Sequence, residues 1–223
     1  MAIKAVLFDL GFTLSKTASF SKIYRDILES FGIEVTVGDI TCALRETENQ
    51  FYITNYSAEV RKEFWIRYNT SVLERLGIKE NTVFLASQID ELWWEYSNLQ
   101  LYADVEPMLS KLKAKGLKLA IVSNGFKQDL EYVLGKLDLK KWFDVVVCID
   151  SCDCAKPEEE IFLYALKKLK TKPSETIFVG DSIVFDYEGA RNVGIKSLLI
   201  DREGKLPSSY DKITSLVEIL TFV

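Results

Sequence analysis

The chain of 223 residues contains no histidine. That absence removes the Ser-His-Asp and Cys-His forms of nucleophilic catalysis, phosphohistidine chemistry, and every metal site built on imidazole. Whatever chemistry occurs must use carboxylates, lysines, hydroxyls, thiols or backbone groups. Cysteine is scarce as well: there are four, and three of them cluster at Cys148, Cys152 and Cys154. These are too few and too bunched to staple a domain of this size, so reduced structural thiols are expected. A three-thiolate metal site, or a Cys152/Cys154 pair that senses oxidation, is the alternative. No apolar run approaches the roughly 20 residues of a membrane span. The N-terminal MAIKAVLF carries one lysine and a short apolar stretch stopped by Asp9, so a cytoplasmic protein without a membrane partner is expected. Basic patches are also missing. With 28 Lys and Arg against 33 Asp and Glu, the net charge is −5, and no nucleic-acid partner is expected. Small anions stay open as ligands, because a local positive site can overrule net charge.

What is present is a soluble-protein composition, 48% hydrophobic, in a chain long enough for a sizeable core. Outside residues 18–101, apolar runs alternate with helical patterns. The runs are IKAVLF (3–8), KLAIVS (118–123), DVVVCI (144–149), TIFVG (176–180) and SLLI (197–200). Continuous runs of this kind suit a parallel sheet covered on both faces, so the expected fold is α/β, a doubly wound parallel sheet with a Rossmann-like core. Asp104 is placed to cap a helix that carries Met108, Leu109 and Leu112 and ends near Gly116. Pro157 opens another, with Ile161, Ala165 and Leu169 as its buried stripe. Residues 18–101 break the alternation. They offer only amphipathic helical patterns, around SKIYRDILESF, TCALRETENQFY, EVRKEFWIRYNTSVLERL and VFLASQIDELWWEYS. The expectation is a core domain of residues 1–17 and 102–223, with an inserted all-helical domain at 18–101 whose core includes Trp65, Trp93 and Trp94.

In a doubly wound sheet, ligands bind beyond the carboxyl ends of the strands. The residues there are Asp9 with Thr13, Ser123 with Asn124, Lys156, and Asp181 with Asp186, and they are expected to share one crevice. Ser123-Asn124-Gly125 leads from a strand into a helical pattern, and Lys156 stands before Pro157 at the start of another. Helix N-termini offer free N–H groups and partial positive charge, so a phosphate fits there. Asp9 and Asp181 would repel each other unless a cation lies between them, and hard oxygen ligands suit Mg²⁺.

These motifs resemble the haloacid dehalogenase superfamily. FDLGFTL stands against the family pattern Asp-x-Asp-x-Thr, IVSN ends the second motif, Lys156-Pro157 forms the third, and VGDSIVFD supplies Asp181 and Asp186. The helical insertion is similar to the family's type 1 cap. The resemblance implies a phosphohydrolase acting on a small phosphorylated substrate. Asp9 would form an aspartyl-phosphate, Thr13 would orient it, and Ser123, Asn124 and Lys156 would hold the phosphoryl group. Mg²⁺ would be bound by Asp9, the Gly11 carbonyl and Asp181, with Asp186 in support.

One residue departs from that pattern. Gly11 stands where the family's phosphatases carry a second aspartate that protonates the leaving group and then activates water. Its loss removes a contribution typically of about 10²- to 10⁴-fold in rate. Good leaving groups, such as acyl or aryl phosphates, suffer least. Ser15, Lys16, Thr17, Glu46 and Glu48 are the candidates to replace the acid. Two alternatives stand beside this reading. One is a metal-free 2-haloacid dehalogenase, with Arg45 meeting a substrate carboxylate; the other is a non-catalytic phosphometabolite- or partner-binding protein.

Overall fold

The structure, a computed structural model, describes residues 2–48, 51 and 58–223. The chain divides into two compact units, Met1–Lys16 with Gln100–Val223, and Thr17–Leu99.

The first unit is built on a six-stranded sheet. Its strands are β1 (Ala5–Phe8), β4 (Lys118–Val122), β5 (Val145–Val147), β6 (Thr176–Gly180), β7 (Lys196–Ile200) and β8 (Lys212–Ile213), in the order β5-β4-β1-β6-β7-β8. Each pairing is parallel. This is the α/β fold expected from the apolar runs, whose interior strands are buried on both faces because every residue of β1 and β6 is apolar or small enough to be covered. One hydrophobic core joins Leu7, Ala120, Val122 and Phe178 of the sheet to Ile161, Phe162, Ala165 and Leu169 of helix α7 (Glu159–Leu169).

Strand order reverses at β1, which lies between β4 and β6. Phe8 is level with Ile121 on one side and Val179 on the other. At about 3.3 Å rise per residue, Asp9, Ser123 and Asp181 therefore leave the sheet within a residue or so of one layer. The crevice of a doubly wound sheet opens at such a reversal.

Three elements carry no sequence signal of their own. β8 is two residues long, as are β2 (Ser15–Lys16) and β3 (Gln100–Leu101), which pair antiparallel where the chain leaves the first unit and returns to it. Helix α5 (Val105–Ala114) buries Met108, Leu109 and Leu112 as its pattern requires, but Asp104 at its N-cap position makes no side-chain capping bond. Its carboxylate is taken by other donors. Helix α7 begins at Glu159, two residues beyond Pro157, because Glu158 keeps an extended backbone.

The second unit is helical, with α1 (Phe20–Ser30), α2 (Val37–Glu48), α3 (Ala58–Arg75) and α4 (Thr82–Tyr96). Asn49, Gln50 and Tyr52, the end of the second helical pattern, lie outside the described residues. Its fully buried core is mainly aliphatic, around Ile23, Ile27, Leu28, Ile40, Val72, Leu73 and Ile89. Tyr24 brings a hydroxyl into this core. Its hydroxyl donates to Asn69 Oδ1 (2.5 Å), and Asn69 Nδ2 donates to the Ala86 carbonyl (3.1 Å). The tryptophans expected in this core are only half-buried. Trp93 packs edge-on against Phe20 and Tyr24, and Trp65 against Phe64 and Tyr68. Trp93 packs against the aliphatic core from its edge.

Candidate active site

Asp9 is the first residue after β1, and its N–H continues the ladder by donating to the Val179 carbonyl (2.9 Å). Its side chain is nearly covered and accepts from Lys156 Nζ at 2.6 Å. The same ammonium donates to Asp186 Oδ1, also at 2.6 Å. Lys156 is 4% exposed and lies over the Phe178 ring, 5.7 Å from its centroid. One buried positive charge is thus divided between two buried carboxylates. Burial alone would lower the Lys156 pKa, but Asp9 and Asp186 outweigh it and hold the ammonium above its ordinary value. For Asp9, burial dominates and raises the pKa, and Asp186 adds to it against the pull of Lys156. The two directions agree, because half a share of an ammonium does not offset full burial of a carboxylate.

Asp186 is placed by a π-helical turn, Ile183–Glu188, that follows β6. Its Oδ2 accepts from the Ser182 N–H (3.0 Å). Gly180 makes room for it: a Cβ at Gly180 would lie 2.3 Å from Asp186 Cγ. Asp181 stands next to that glycine, partly open to solvent. Burial of its carboxyl, then the charges of Asp9 and Asp186, push its pKa up to about 7.

Carboxylate oxygens of Asp9, Asp181 and Asp186 come within 4.8 Å of one another. With Lys156 paired to Asp9 and Asp186, the three carboxylates and the ammonium together hold an excess of two negative charges when fully ionised. A donor set of hard oxygens with that excess fits a divalent cation. Thr13 is fully buried, and its hydroxyl has no hydrogen-bond partner among the described residues. Ser123 is 8% exposed, and its Oγ accepts from the Gly125 N–H (3.2 Å). Gly11 is exposed on the loop between Asp9 and Thr13, and a Cβ there would meet nothing within 4 Å.

Asn124, expected to hold a substrate phosphate, spends its side chain on Lys156. Its Nδ2 donates to the Lys156 carbonyl (2.9 Å), and its Oδ1 accepts from the Lys156 N–H (2.7 Å). Asn124 therefore ties the end of β4 to the loop that presents the ammonium. The residue type offers one signal for this role, a donor and an acceptor on one amide that can meet the C=O and N–H of a single residue.

Against expectation, the cysteines are not all reduced thiols. Cys152 and Cys154 are joined in a disulfide two residues before Lys156, which rules out a three-thiolate site in this state. Asp153 between them adopts a left-handed backbone (φ 50°), which brings their Cα atoms to 5.3 Å, within reach of a bridge. Cys148 is buried, and burial pushes its thiol up to about 12. Cys42 is exposed.

Two outcomes follow. In Gly180→Ala the new methyl displaces the Asp186 carboxylate, which costs about 1–3 kcal/mol of stability in chemical denaturation; an unchanged midpoint would show that the pocket yields freely. Without reductant, iodoacetamide should modify Cys42 and spare Cys148, as read by peptide mass spectrometry. Rapid labelling of Cys148 would contradict its burial.

Comparison with known proteins agrees with this geometry. Residues 3–194 match the family model described as haloacid dehalogenase-like hydrolase. The glyceraldehyde 3-phosphate phosphatase of Methanopyrus kandleri is 30% identical over 91% of this chain and 85% of its own. The mouse haloacid dehalogenase-like hydrolase domain-containing protein 3 is 36% identical over 54% of the chain, a match that spans about half (49%) of that relative's length. Among solved structures, a HAD phosphatase from Thermococcus onnurineus superposes with a TM-score of 0.68 at 25% identity, covering 99% of this chain and 97% of the other. With a family model matched over most of its length and a relative of this identity aligned nearly end to end, the chain belongs to the haloacid dehalogenase-like hydrolase family.

Proposed function

We propose that the protein is a phosphohydrolase for small phosphorylated metabolites that works through an aspartyl-phosphate on Asp9 and favours good leaving groups. The observation that carries this is the meeting of three carboxylates with one buried lysine at the reversal point of the sheet. Asp9 Oδ is the nucleophile: it attacks phosphorus, and the bond from phosphorus to the leaving oxygen breaks. Lys156 and the Ser123 hydroxyl hold the phosphoryl oxygens, and the unpartnered Thr13 hydroxyl orients the reacting group. Asp9, Asp181 and the Gly11 carbonyl would hold Mg²⁺, with Asp186 in support. Bound there, the ion stabilises charge on the phosphoryl oxygens. Asn124 acts by fixing the Lys156 backbone. Residues 18–101 are proposed as a type 1 cap that selects the substrate. The relative from Methanopyrus kandleri, a glyceraldehyde 3-phosphate phosphatase, supports a small phosphorylated metabolite as the substrate class.

Gly11 supplies no acid to the leaving oxygen, and none to the water that later cleaves the aspartyl-phosphate. Acyl and aryl phosphates need little protonation on departure, so they are the substrates of choice, and the second step is expected to limit turnover. A side chain is sterically admissible here, because a Cβ at Gly11 meets nothing within 4 Å.

Initial rates with p-nitrophenyl phosphate and acetyl phosphate test the reading, in Mg²⁺ and in EDTA. Mg²⁺-dependent release is expected, lost in Asp9→Asn and raised about tenfold or more in Gly11→Asp. Release of nothing from either compound would overturn it. A second test concerns protons. Because Asp181 holds its proton up to about pH 7, Mg²⁺ must displace that proton at lower pH. Affinity should therefore rise from about pH 6 to about pH 8, with proton release detected calorimetrically in buffers of differing ionisation enthalpy. An affinity flat across this range would refute a site containing Asp181.

A further inference from the structure

Arg202 follows β7 by two residues and has no place in the site described so far. Its Nη2 donates to the Thr13 carbonyl (2.9 Å) and to Asp104 Oδ1 (3.2 Å), and its Nη1 donates to Asp104 Oδ2 (3.0 Å). Its Cζ stands 3.6 Å from the centroid of the Tyr102 ring. Asp104 also accepts from Ser215 Oγ (2.9 Å) and from the Leu216 N–H (2.8 Å). Burial works against ionisation of this carboxyl, but Arg202, the Leu216 N–H and Ser215 outweigh it and hold its pKa below the ordinary range. Tyr102 closes the circle, its N–H donating to the Leu14 carbonyl (3.2 Å). One guanidinium thus joins the loop that carries Asp9 and Thr13 to the segment that follows β3.

That loop does not keep its shape by residue preference. Phe12, between Gly11 and Thr13, has φ 56°, a left-handed backbone that is unfavourable for a residue other than glycine. Internal bonds supply part of the restraint, with Leu14 N–H, Ser15 N–H and Ser15 Oγ all donating to the Leu10 carbonyl. These act ahead of and behind Thr13, while the bond from Arg202 acts on Thr13 itself. A planar fork stacked on Tyr102 can face two acceptors at fixed angles, which a lysine ammonium cannot.

We propose that Arg202 is a positioning residue for hydrolysis: by clamping the Thr13 carbonyl against Asp104, it sets where the Thr13 hydroxyl and the Asp9 carboxylate stand relative to the phosphoryl group. This rests on the phosphohydrolase reading above. Misplacement of a reacting group by an ångström can cost about 10²-fold in rate while leaving binding nearly intact, so the effect belongs in kcat.

The test is steady-state kinetics on the full chain with acetyl phosphate and p-nitrophenyl phosphate, for wild type, Arg202→Ala, Arg202→Lys and Asp104→Asn, beside thermal unfolding. Arg202→Ala and Arg202→Lys should each lower kcat about tenfold or more, with KM within about twofold. Asp104→Asn should lower it severalfold. Millimolar guanidinium, far below denaturing levels, should restore part of the rate to Arg202→Ala and none to Arg202→Lys, without raising the Tm. If Arg202→Ala does not fold, Arg202→Lys and Asp104→Asn carry the same expectation for kcat. A wild type that is active alongside variants with unchanged kcat overturns the positioning role alone. Loss of rate that tracks loss of Tm, with no rescue, reduces Arg202 to a structural clamp and overturns it too. A wild type inactive on both compounds removes the phosphohydrolase reading, and this inference with it.

Discussion

The ammonium of Lys156 is shared by Asp9 and Asp186, and much of the surrounding architecture exists to hold those three groups together. Asp9 comes from the end of β1, Lys156 from the loop before α7, and Asp186 from the π-helical turn after β6. None of them can be moved cheaply. Removing one member of a buried ion group typically costs about 3–5 kcal/mol, since the remaining charge keeps its desolvation penalty and loses its compensation. Replacing such a group with apolar side chains is often neutral or stabilising, so stability alone does not account for keeping it. Gly180 is part of the same constraint. It gives up a side chain so that the Asp186 carboxylate can lie against the backbone of β6. Asn124 is another part, because its two bonds to the Lys156 peptide fix the base of the lysine side chain.

The sheet and the outline of the site were legible because parallel strands covered on both faces must be written as continuous apolar runs. The polar residue that ends each run then marks the carboxyl end of its strand. Asp9, Ser123 and Asp181 could be located this way without any knowledge of the register. What could not be read depends on geometry between distant segments. Arg202 and Asp104 are 98 residues apart and share no period. Asp104 looks like a helix cap, since an aspartate just before an apolar stripe is the usual sign of one, yet donors from three residues elsewhere take its carboxylate. Asn124 looked like a phosphate ligand for a similar reason: it sits where a helix N-terminus begins, and nothing in its residue type shows that both amide atoms are already used. The Cys152–Cys154 bridge depends on the left-handed backbone of Asp153, which aspartate tolerates without announcing. β2, β3 and β8 are two residues each, too short for any periodicity to register.

The loop from Asp9 to Thr13, proposed to carry the nucleophile, has no carboxylate at position 11. Position 11 has room for a side chain and position 12 has a backbone that suits glycine, yet the sequence places glycine at the first and phenylalanine at the second. Glycine's freedom is therefore not used where the backbone asks for it, and the strain at Phe12 has to be held by bonds from Leu10, Ser15 and Arg202. A loop restrained from outside in this way can lose the carboxylate at position 11 and still keep Asp9 and Thr13 in place. On the proposed mechanism, the consequence of Gly11 would then be confined to proton transfer. Its cost grows with the basicity of the leaving oxygen and nearly vanishes for a leaving group that departs as a stable anion. Specificity for leaving groups would then come from the absence of a side chain at Gly11, whereas specificity for the rest of the substrate would be set elsewhere in the chain.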